Sequence, residues 1–242
     1  MAQKKVNAVI HSQEKLAEGI YSMWLDAPEM AKAAVPGQFI AVYTNDQSKL
    51  LPRPISICEA DKENGRLRIV YRIAGAGTKE FSAYKEGDAL DIMGPLGNGF
   101  PLKKKKAFLI GGGIGIPPML ELAKNLDCEK TAVIGYRDKE TFLADELRKY
   151  ADVVIATEDG SVGTKGNVID AIRAEKLTAD IIYACGPTPM LKALKAYAME
   201  KGIECYISLE EKMACGIGAC LGCVCHSKDI DEHSNVRNKR IC

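Results

Sequence analysis

The run AFLIGGGIGIPPML, residues 107–120, decides how this chain is read. Apolar residues lead into a cluster of glycines, and Pro117 and Pro118 then open a segment with helical spacing. Proline suits the first turn of a helix, where backbone N–H groups lack intrahelical partners, so the order is strand, tight turn, helix. Glycines let a backbone approach a pyrophosphate closely, and a helix N-terminus favours the anion. The turn departs from GxGxxG, because Ile116 stands where the third glycine would be, and close packing explains a glycine-rich turn as well as a nucleotide does.

Working outward, the rhythm repeats. KTAVIGY (130–136), ADVVIATEDG (151–160) and DIIYACGP (180–187) are apolar runs closed by glycine or charge, with helix-like segments between them. One of these, 189–199, places Met190, Leu191, Leu194, Tyr197 and Ala198 on one face, and ECYISLEEKM (204–213) adds a fifth strand. Strands alternating with helices of this length imply a doubly wound parallel sheet with right-handed crossovers. Before residue 102 the pattern differs. Period-2 stretches such as RLRIVYRI (66–73), with Leu67, Ile69, Tyr71 and Ile73 on one side, alternate with turn formers such as DKENG (61–65), as in the antiparallel strands of a small β-barrel. Beyond about 210 periodicity stops and cysteines begin. The expected architecture is an antiparallel β-barrel over 1–102, an α/β domain over 103–209 and a small cysteine-rich region over 210–242.

Composition narrows the function classes. The 33 basic and 32 acidic residues leave a formal charge of +1, so no global field draws the chain to nucleic acid or to an anionic membrane. No apolar run approaches the ~20 residues of a membrane span, and the first residues lack the apolar core of a signal peptide, so a cytoplasmic location is expected. Lys103 to Lys106 reads as a solvated linker. The three histidines, His11, His226 and His233, fall in no recognisable site, read as surface residues, and supply no acid or base.

Ligands of such sheets gather at the carboxyl ends of the strands. Besides the glycine turn (Gly111, Gly112, Gly113, Gly115), two such ends carry signals: TEDGS (157–161), which either meets a ribose or solvates a loop, and YACGPTPM (183–190), with Cys185, Gly186 and Pro187 before a helix. In the barrel half, LPRPISICEA (51–60) sets Arg53 between prolines ahead of Ser56, as at an edge or a bulge where a side chain is aimed at an anion. AGAGTKEF (74–81) and GPLGNGF (94–100) are further glycine turns, each explained equally by ordinary turn chemistry.

MACGIGACLGCVC (213–225) holds four of the nine cysteines. In a reducing compartment such density reads as a metal or redox site rather than a disulfide frame. Cys215, Cys220 and Cys223 have the Cx4CxxC spacing that, with a distant fourth cysteine, binds a plant-type two-iron two-sulfur cluster. Gly216, Gly218 and Gly222 let backbone N–H groups turn toward sulfur. Structural zinc is the other reading, but four-cysteine zinc sites usually come as two tight CxxC pairs.

In this order RPIS, GAGT, GPLGNGF, GGGIGIPPM and CGPTPM resemble the ferredoxin-reductase superfamily, in which a flavin-binding barrel precedes a pyridine-nucleotide domain. With EEKMACGIGACLGC added, the whole chain is similar to the electron-transfer subunits of class 1B dihydroorotate dehydrogenases. The resemblance implies that Arg53 contacts the FAD pyrophosphate, with Pro54 and Ile55 in the same motif, and that Ser56 hydrogen-bonds the flavin ring. By the same resemblance Tyr71 and Arg72 line the flavin, Gly77 and Thr78 form a second phosphate turn, and the glycine turn with Cys185, Gly186 and Pro187 makes the NAD(P) site. For the fourth cluster ligand, Cys225 would have to double back, whereas Cys242 can return from a hairpin over 226–241; Cys242 is the expected ligand. The family usually continues a few residues past this cysteine, and this sequence does not.

A nicotinamide exchanges two electrons and a cluster one, so FAD between them is the converter, with Ser56 and Cys185 flanking the hydride path. The three regions leave no residues for a site that oxidises an organic substrate, since a TIM barrel alone takes about 250. The resemblance supplies an FMN-containing dihydroorotate dehydrogenase as partner, in a heterotetramer of two copies of each, passing electrons to NAD+ in pyrimidine biosynthesis. Two other readings stand beside it: a flavin and cluster subunit of an NADH-dependent ferredoxin:NADP oxidoreductase or sulfide dehydrogenase, and a redox-sensing module without turnover. Arg137 suits a 2′-phosphate and Asp138 repels one, leaving NAD against NADP open from the residues; the resemblance favours NAD.

Overall fold

The computed structural model describes residues 4–46, 48–228, 230–231 and 235–242. The first half is a closed barrel of β1 (Lys4–Ala17), β2 (Ile20–Asp26), β3 (Phe39–Val42), β4 (Arg53–Asp61), β5 (Arg66–Arg72) and β6 (Ala89–Leu96), in the order β1-β2-β5-β4-β3-β6. Helices α1 (Pro28–Ala33) and α2 (Ala76–Phe81) fill its connections. Every pairing in the barrel is antiparallel, and closure removes the open edges that would otherwise invite association. Leu67, Ile69 and Tyr71 enter the barrel core, as their alternation requires. Val70, on the opposite face of the same strand, is buried too, because the second domain covers it.

That domain follows as β7 (Ala107–Gly112), a 3-10 turn (Gly113–Gly115), α3 (Pro117–Asn125), β8 (Lys130–Tyr136), α4 (Ala144–Leu147), β9 (Asp152–Thr157), β10 (Thr164–Lys165), α5 (Val168–Ala174), β11 (Ile181–Cys185), α6 (Thr188–Lys201) and β12 (Glu204–Ser208). Its six strands are all parallel, in the order β10-β9-β8-β7-β11-β12. Every residue of β7 and β11 is buried, as expected for parallel strands covered on both faces. One face packs on α5 and α6 through Phe108, Ile110, Leu191 and Leu194; the other joins Met119 and Leu120 of α3 to Cys58 and Val70 of the barrel in a shared core. The sixth strand, β10, is only two residues long and has no period to betray it. β12 stops at Ser208, so residues 209–213 of the expected fifth strand run on as irregular chain.

The strand order reverses between β7 and β11. There the glycine turn after β7 and the CGPTPM turn after β11 lie side by side, with Gly111 in register opposite Cys185. This is the switch point at which α/β sheets bind ligands. The cysteine-rich tail closes with a short hairpin of β13 (Val224–His226) and β14 (Asn238–Arg240). Met213 and Cys242 pack on Phe39, Ala41 and Leu96, which seats the tail against β3 and β6 of the barrel. His226 is exposed and His11 half-buried; His233 lies outside the described residues. Among the described residues no helix is long and apolar enough to cross a membrane.

Candidate functional site

A cleft of about 560 Å³ opens where the three regions meet. Its wall takes Arg53, Pro54, Ile55 and Ser56 from the start of β4, Tyr71 and Arg72 from the end of β5, and Thr78 from α2. The sheet contributes Ile114 of the glycine turn and Tyr206 to Glu211, where β12 ends; the tail contributes Met213, Cys225 and Lys239 to Ile241.

Arg53 opens β4 in register with Val42, and residues 53–56 pair with β3 alone, because the pairing with β5 begins only at Ile57; Arg53 therefore stands at a local edge, where the flanking prolines are tolerated. Its side chain lies across Gly77: a Cβ there would come within 2.1 Å of Arg53 Nε, so only glycine lets the guanidinium settle in this place. One of its nitrogens donates to the Leu51 carbonyl, and the remaining donors of the planar fork suit an anion. Thr78 Oγ1 accepts from the backbone N–H groups of Ala74 (2.8 Å) and Gly75 (3.2 Å), which ties the turn before α2 closed. Tyr71 reaches the cleft with only 2% of its surface. Its ring stacks on Tyr21 and meets Phe81 edge-on, and its hydroxyl donates to Gln13 Oε1 at 2.7 Å; burial pushes the phenol well above its usual range. Arg72 next to it is exposed in the cleft.

Gly77, Gly111, Gly112, Gly113, Gly115, Cys185, Gly186 and Pro187 stand outside the cleft wall. Several have a packing reason instead. A Cβ at Gly115 would lie 2.3 Å from the carbonyl oxygen of Cys185, so the two turns at the switch point touch backbone to backbone. Cys185 itself is buried, and burial holds its thiol at about 12, against a hydrogen bond with Ser208 that draws it down. Ser208 lines the cleft, so Cys185 reaches the cleft through that hydroxyl. TEDGS (157–161) lies between β9 and β10, away from the wall, with Asp159 accepting from its own loop at Ser161 N. Sequence reasoning missed Tyr206, Glu210 and Arg240. Glu210 carries a carboxyl that burial raises against the nearby charge of Arg72. Nothing in the local sequence marks these three, because only the returning chain brings them to the barrel.

The tail winds its thiols around one loop. Gly216, Gly218 and Leu221 take left-handed backbone angles (φ 68°, 77° and 56°), and N–H groups turn onto sulfur: Ile217 and Cys220 donate to Cys215 Sγ (3.5 and 3.4 Å), Gly218 to Cys242 Sγ (3.1 Å), and Gly222 to Cys220 Sγ (3.4 Å). Cys223 and Cys242 place their sulfurs 3.1 Å apart. Burial raises the Cys215 thiol, but the amides of Ile217 and Cys220 outweigh it and hold the group at about 6. Inward amides of this kind favour thiolate over thiol, which is what a metal cluster requires of its ligands. Cys225 points elsewhere, pairing with Lys239 in the hairpin and facing the cleft.

Residues 210–242 match the iron–sulfur cluster binding domain of dihydroorotate dehydrogenase B, and residues 7–100 match the oxidoreductase FAD-binding domain. Curated relatives named dihydroorotate dehydrogenase B (NAD(+)), electron transfer subunit, are 45% identical in Streptococcus mutans and 42% identical in Bacillus velezensis. The first alignment covers 96% of this chain and 93% of the relative, the second 94% and 92%. The chain belongs to the family of dihydroorotate dehydrogenase B electron-transfer subunits. Among solved structures, one reported with an NADH-dependent reduced ferredoxin-NADP oxidoreductase is similar at a TM-score of 0.83 and 32% identity, over 93% of this chain and 83% of that one. The ferredoxin reductase of carbazole 1,9a-dioxygenase shares the fold at a TM-score of 0.71 and 21% identity, covering 86% and 69%. Membership of the electron-transfer family makes the chain an oxidoreductase subunit, with the barrel matched to FAD and the tail to an iron–sulfur cluster.

Proposed function

We propose that this subunit passes electrons between an FMN-containing dihydroorotate dehydrogenase subunit and NAD+, in the cytoplasm, as a heterotetramer of two copies of each. The observation that carries the proposal is the shared cleft. Phe39 and Met213 line it and at the same time belong to the apolar cluster that seats Cys242, so the cleft that Arg53 lines is bordered by the cluster on which the tail's last thiol packs.

The residues present fit both groups. The Arg53 fork over Gly77 suits a pyrophosphate, and the thiols of Cys215, Cys220, Cys223 and Cys242, with N–H groups turned onto sulfur, suit a two-iron two-sulfur cluster. FAD held there would supply hydride exchange with a nicotinamide and single-electron exchange with the cluster. The chain supplies position and screening. Arg53 holds the phosphates, Pro54 and Ile55 present apolar surface, Ser56 offers a hydroxyl to the ring, and Arg72 adds a second cation. Gly77 and Thr78 shape the phosphate turn. Gly111, Gly112, Gly113, Gly115, Gly186 and Pro187 bring the two turns of the switch point together for NAD, with Cys185 steadying Ser208 at the cleft. The Cys223–Cys242 contact favours Cys242 over Cys225 as fourth ligand. Regions 1–102, 103–209 and 210–242 then correspond to the FAD, NAD and cluster roles.

The purified chain should be coloured, contain iron and flavin in place of zinc, bleach its flavin with NADH, and leave dihydroorotate untouched until the FMN subunit is added. Turnover of dihydroorotate by the chain alone would end the proposal. The 32% identity to the ferredoxin-NADP oxidoreductase structure supports a second reading, in which the partner handles ferredoxin and NADP; reconstitution with the FMN subunit decides between them.

A further inference from the structure

Outside the cleft wall, a buried charge spans the boundary between barrel and sheet. Arg68 lies on β5, three residues before Tyr71, with only 5% of its side chain exposed. It crosses the boundary to α4, where two of its nitrogens grip both carboxylate oxygens of Glu146, one at 3.1 Å. Its Nε donates to Ser22 Oγ at 2.9 Å, Glu59 Oε2 stands 3.5 Å away, Glu14 stands 3.8 Å away, and its guanidinium lies 5.7 Å from the Trp24 ring centre. A second set of bonds ties the neighbouring strand to α3: Lys124 pairs with Glu59, and Glu121, 2% exposed, accepts the backbone N–H of Ala60 at 3.0 Å.

The placement is not incidental. β4 and β5 carry Arg53, Ser56 and Arg72 to the cleft with one end, while their other ends hold Glu59, Ala60 and Arg68 against α3 and α4. α3 begins directly after the glycine turn. The turn into α4 holds Leu143, buried, at φ 64°, a left-handed angle that a branched side chain adopts only when its surroundings impose it. That turn delivers Glu146 to Arg68. Apolar contacts across the boundary can slide, whereas a bidentate ion pair with low exposure has one geometry.

We propose that Arg68 and Glu146 are positioning residues that fix the angle between barrel and nucleotide domain, and so the overlap of the flavin and nicotinamide rings. This rests on the electron-transfer reading above; one arm of the test does not. In Arg68→Met and Glu146→Gln proteins, flavin and iron contents should match the unmodified protein. The limiting rate of flavin reduction by NADH should fall at least tenfold, the half-saturating NADH concentration should move less than threefold, and the long-wavelength absorbance of the nicotinamide–flavin pair should shrink. Independently of any activity, exchange of the Ala60 amide, which donates to Glu121 across the boundary, should accelerate at least tenfold, while barrel amides such as Ile69 keep their protection. If Arg68→Met fails to hold flavin, Glu146→Gln carries the decision. Unchanged limiting rates together with unchanged Ala60 exchange overturn the proposal. If NADH does not bleach even the unmodified protein, the electron-transfer reading falls, and the exchange measurement alone judges the clamp.

Discussion

Replacing Gly77 by alanine separates folding from cofactor binding. Gly77 lies in α2 and its backbone angles suit any residue, so alanine there should leave the apoprotein as stable as before or up to about 1 kcal/mol more stable. The methyl group would nevertheless fall 2.1 Å from Arg53 Nε and 2.5 Å from Cζ, and the guanidinium, a flexible end rather than backbone, has to move off its place. A charge-assisted hydrogen bond contributes roughly 1.5–3 kcal/mol, so FAD should bind roughly 10- to 150-fold more weakly. Flavin fluorescence quenching on titration of the deflavinated protein measures this, beside urea denaturation of the same sample. The cost acts through Arg53, so Gly77→Ala should cost nothing further in an Arg53→Ala background. FAD affinity within threefold of the unmodified protein, or costs that simply add in the double variant, would refute the reasoning.

Other outcomes follow from the same geometry. Cys242→Ser should strip iron and the reddish absorbance of the cluster while leaving that of the flavin, and Cys225→Ser should keep both; the reverse result in metal analysis would exchange the two assignments. Gly115→Ala sets a methyl against backbone that cannot yield, 2.3 Å from the Cys185 carbonyl, and should abolish flavin bleaching by NADH while FAD content, which depends on the barrel, persists. Glu204 pairs with Lys103 and Lys105, and the Lys103 bond, with help from Tyr206, lowers its carboxyl from 4.5 to about 2. A lowered carboxylate contributes stability that is complete above 4.5 and lost as pH falls through 2. Glu204→Gln should therefore unfold at lower urea than the unmodified protein at pH 7, with the gap narrowing steadily below about pH 4.5. Leu194→Ala empties a fully buried site between α6 and the sheet and should cost about 2–5 kcal/mol in the same assay, with no change in flavin affinity.

Much of the molecule is legible in the linear sequence because the signals are local. The period-2 alternation at 66–73 becomes β5, the glycine run with Pro117 and Pro118 becomes the end of β7 and the start of α3, and the thiol spacing from Cys215 to Cys223 needs no fold to be recognised. Residues without a local signal were missed for equally physical reasons. β10 has two residues, too few for any period. Glu210 and Arg240 resemble ordinary surface charges until distant chain returns to the barrel. Arg68 occupies the outward face of an alternating strand, where solvent is the natural expectation, and is buried only because α4 delivers Glu146 to it.

By itself the sequence determined which chemistry the chain can do. Residue types and short spacings are covalent facts, and a barrel rhythm, a glycine turn and a set of thiols declare their uses before anything packs. Tertiary structure alone decided what stands next to what. The switch between β7 and β11 set two glycine turns backbone to backbone, the packing of Met213 and Cys242 on Phe39 brought the thiol loop to the cleft, and burial of Arg68 tied the two domains together. These relations arise from burial and register between segments a hundred or more residues apart, which local spacing does not encode.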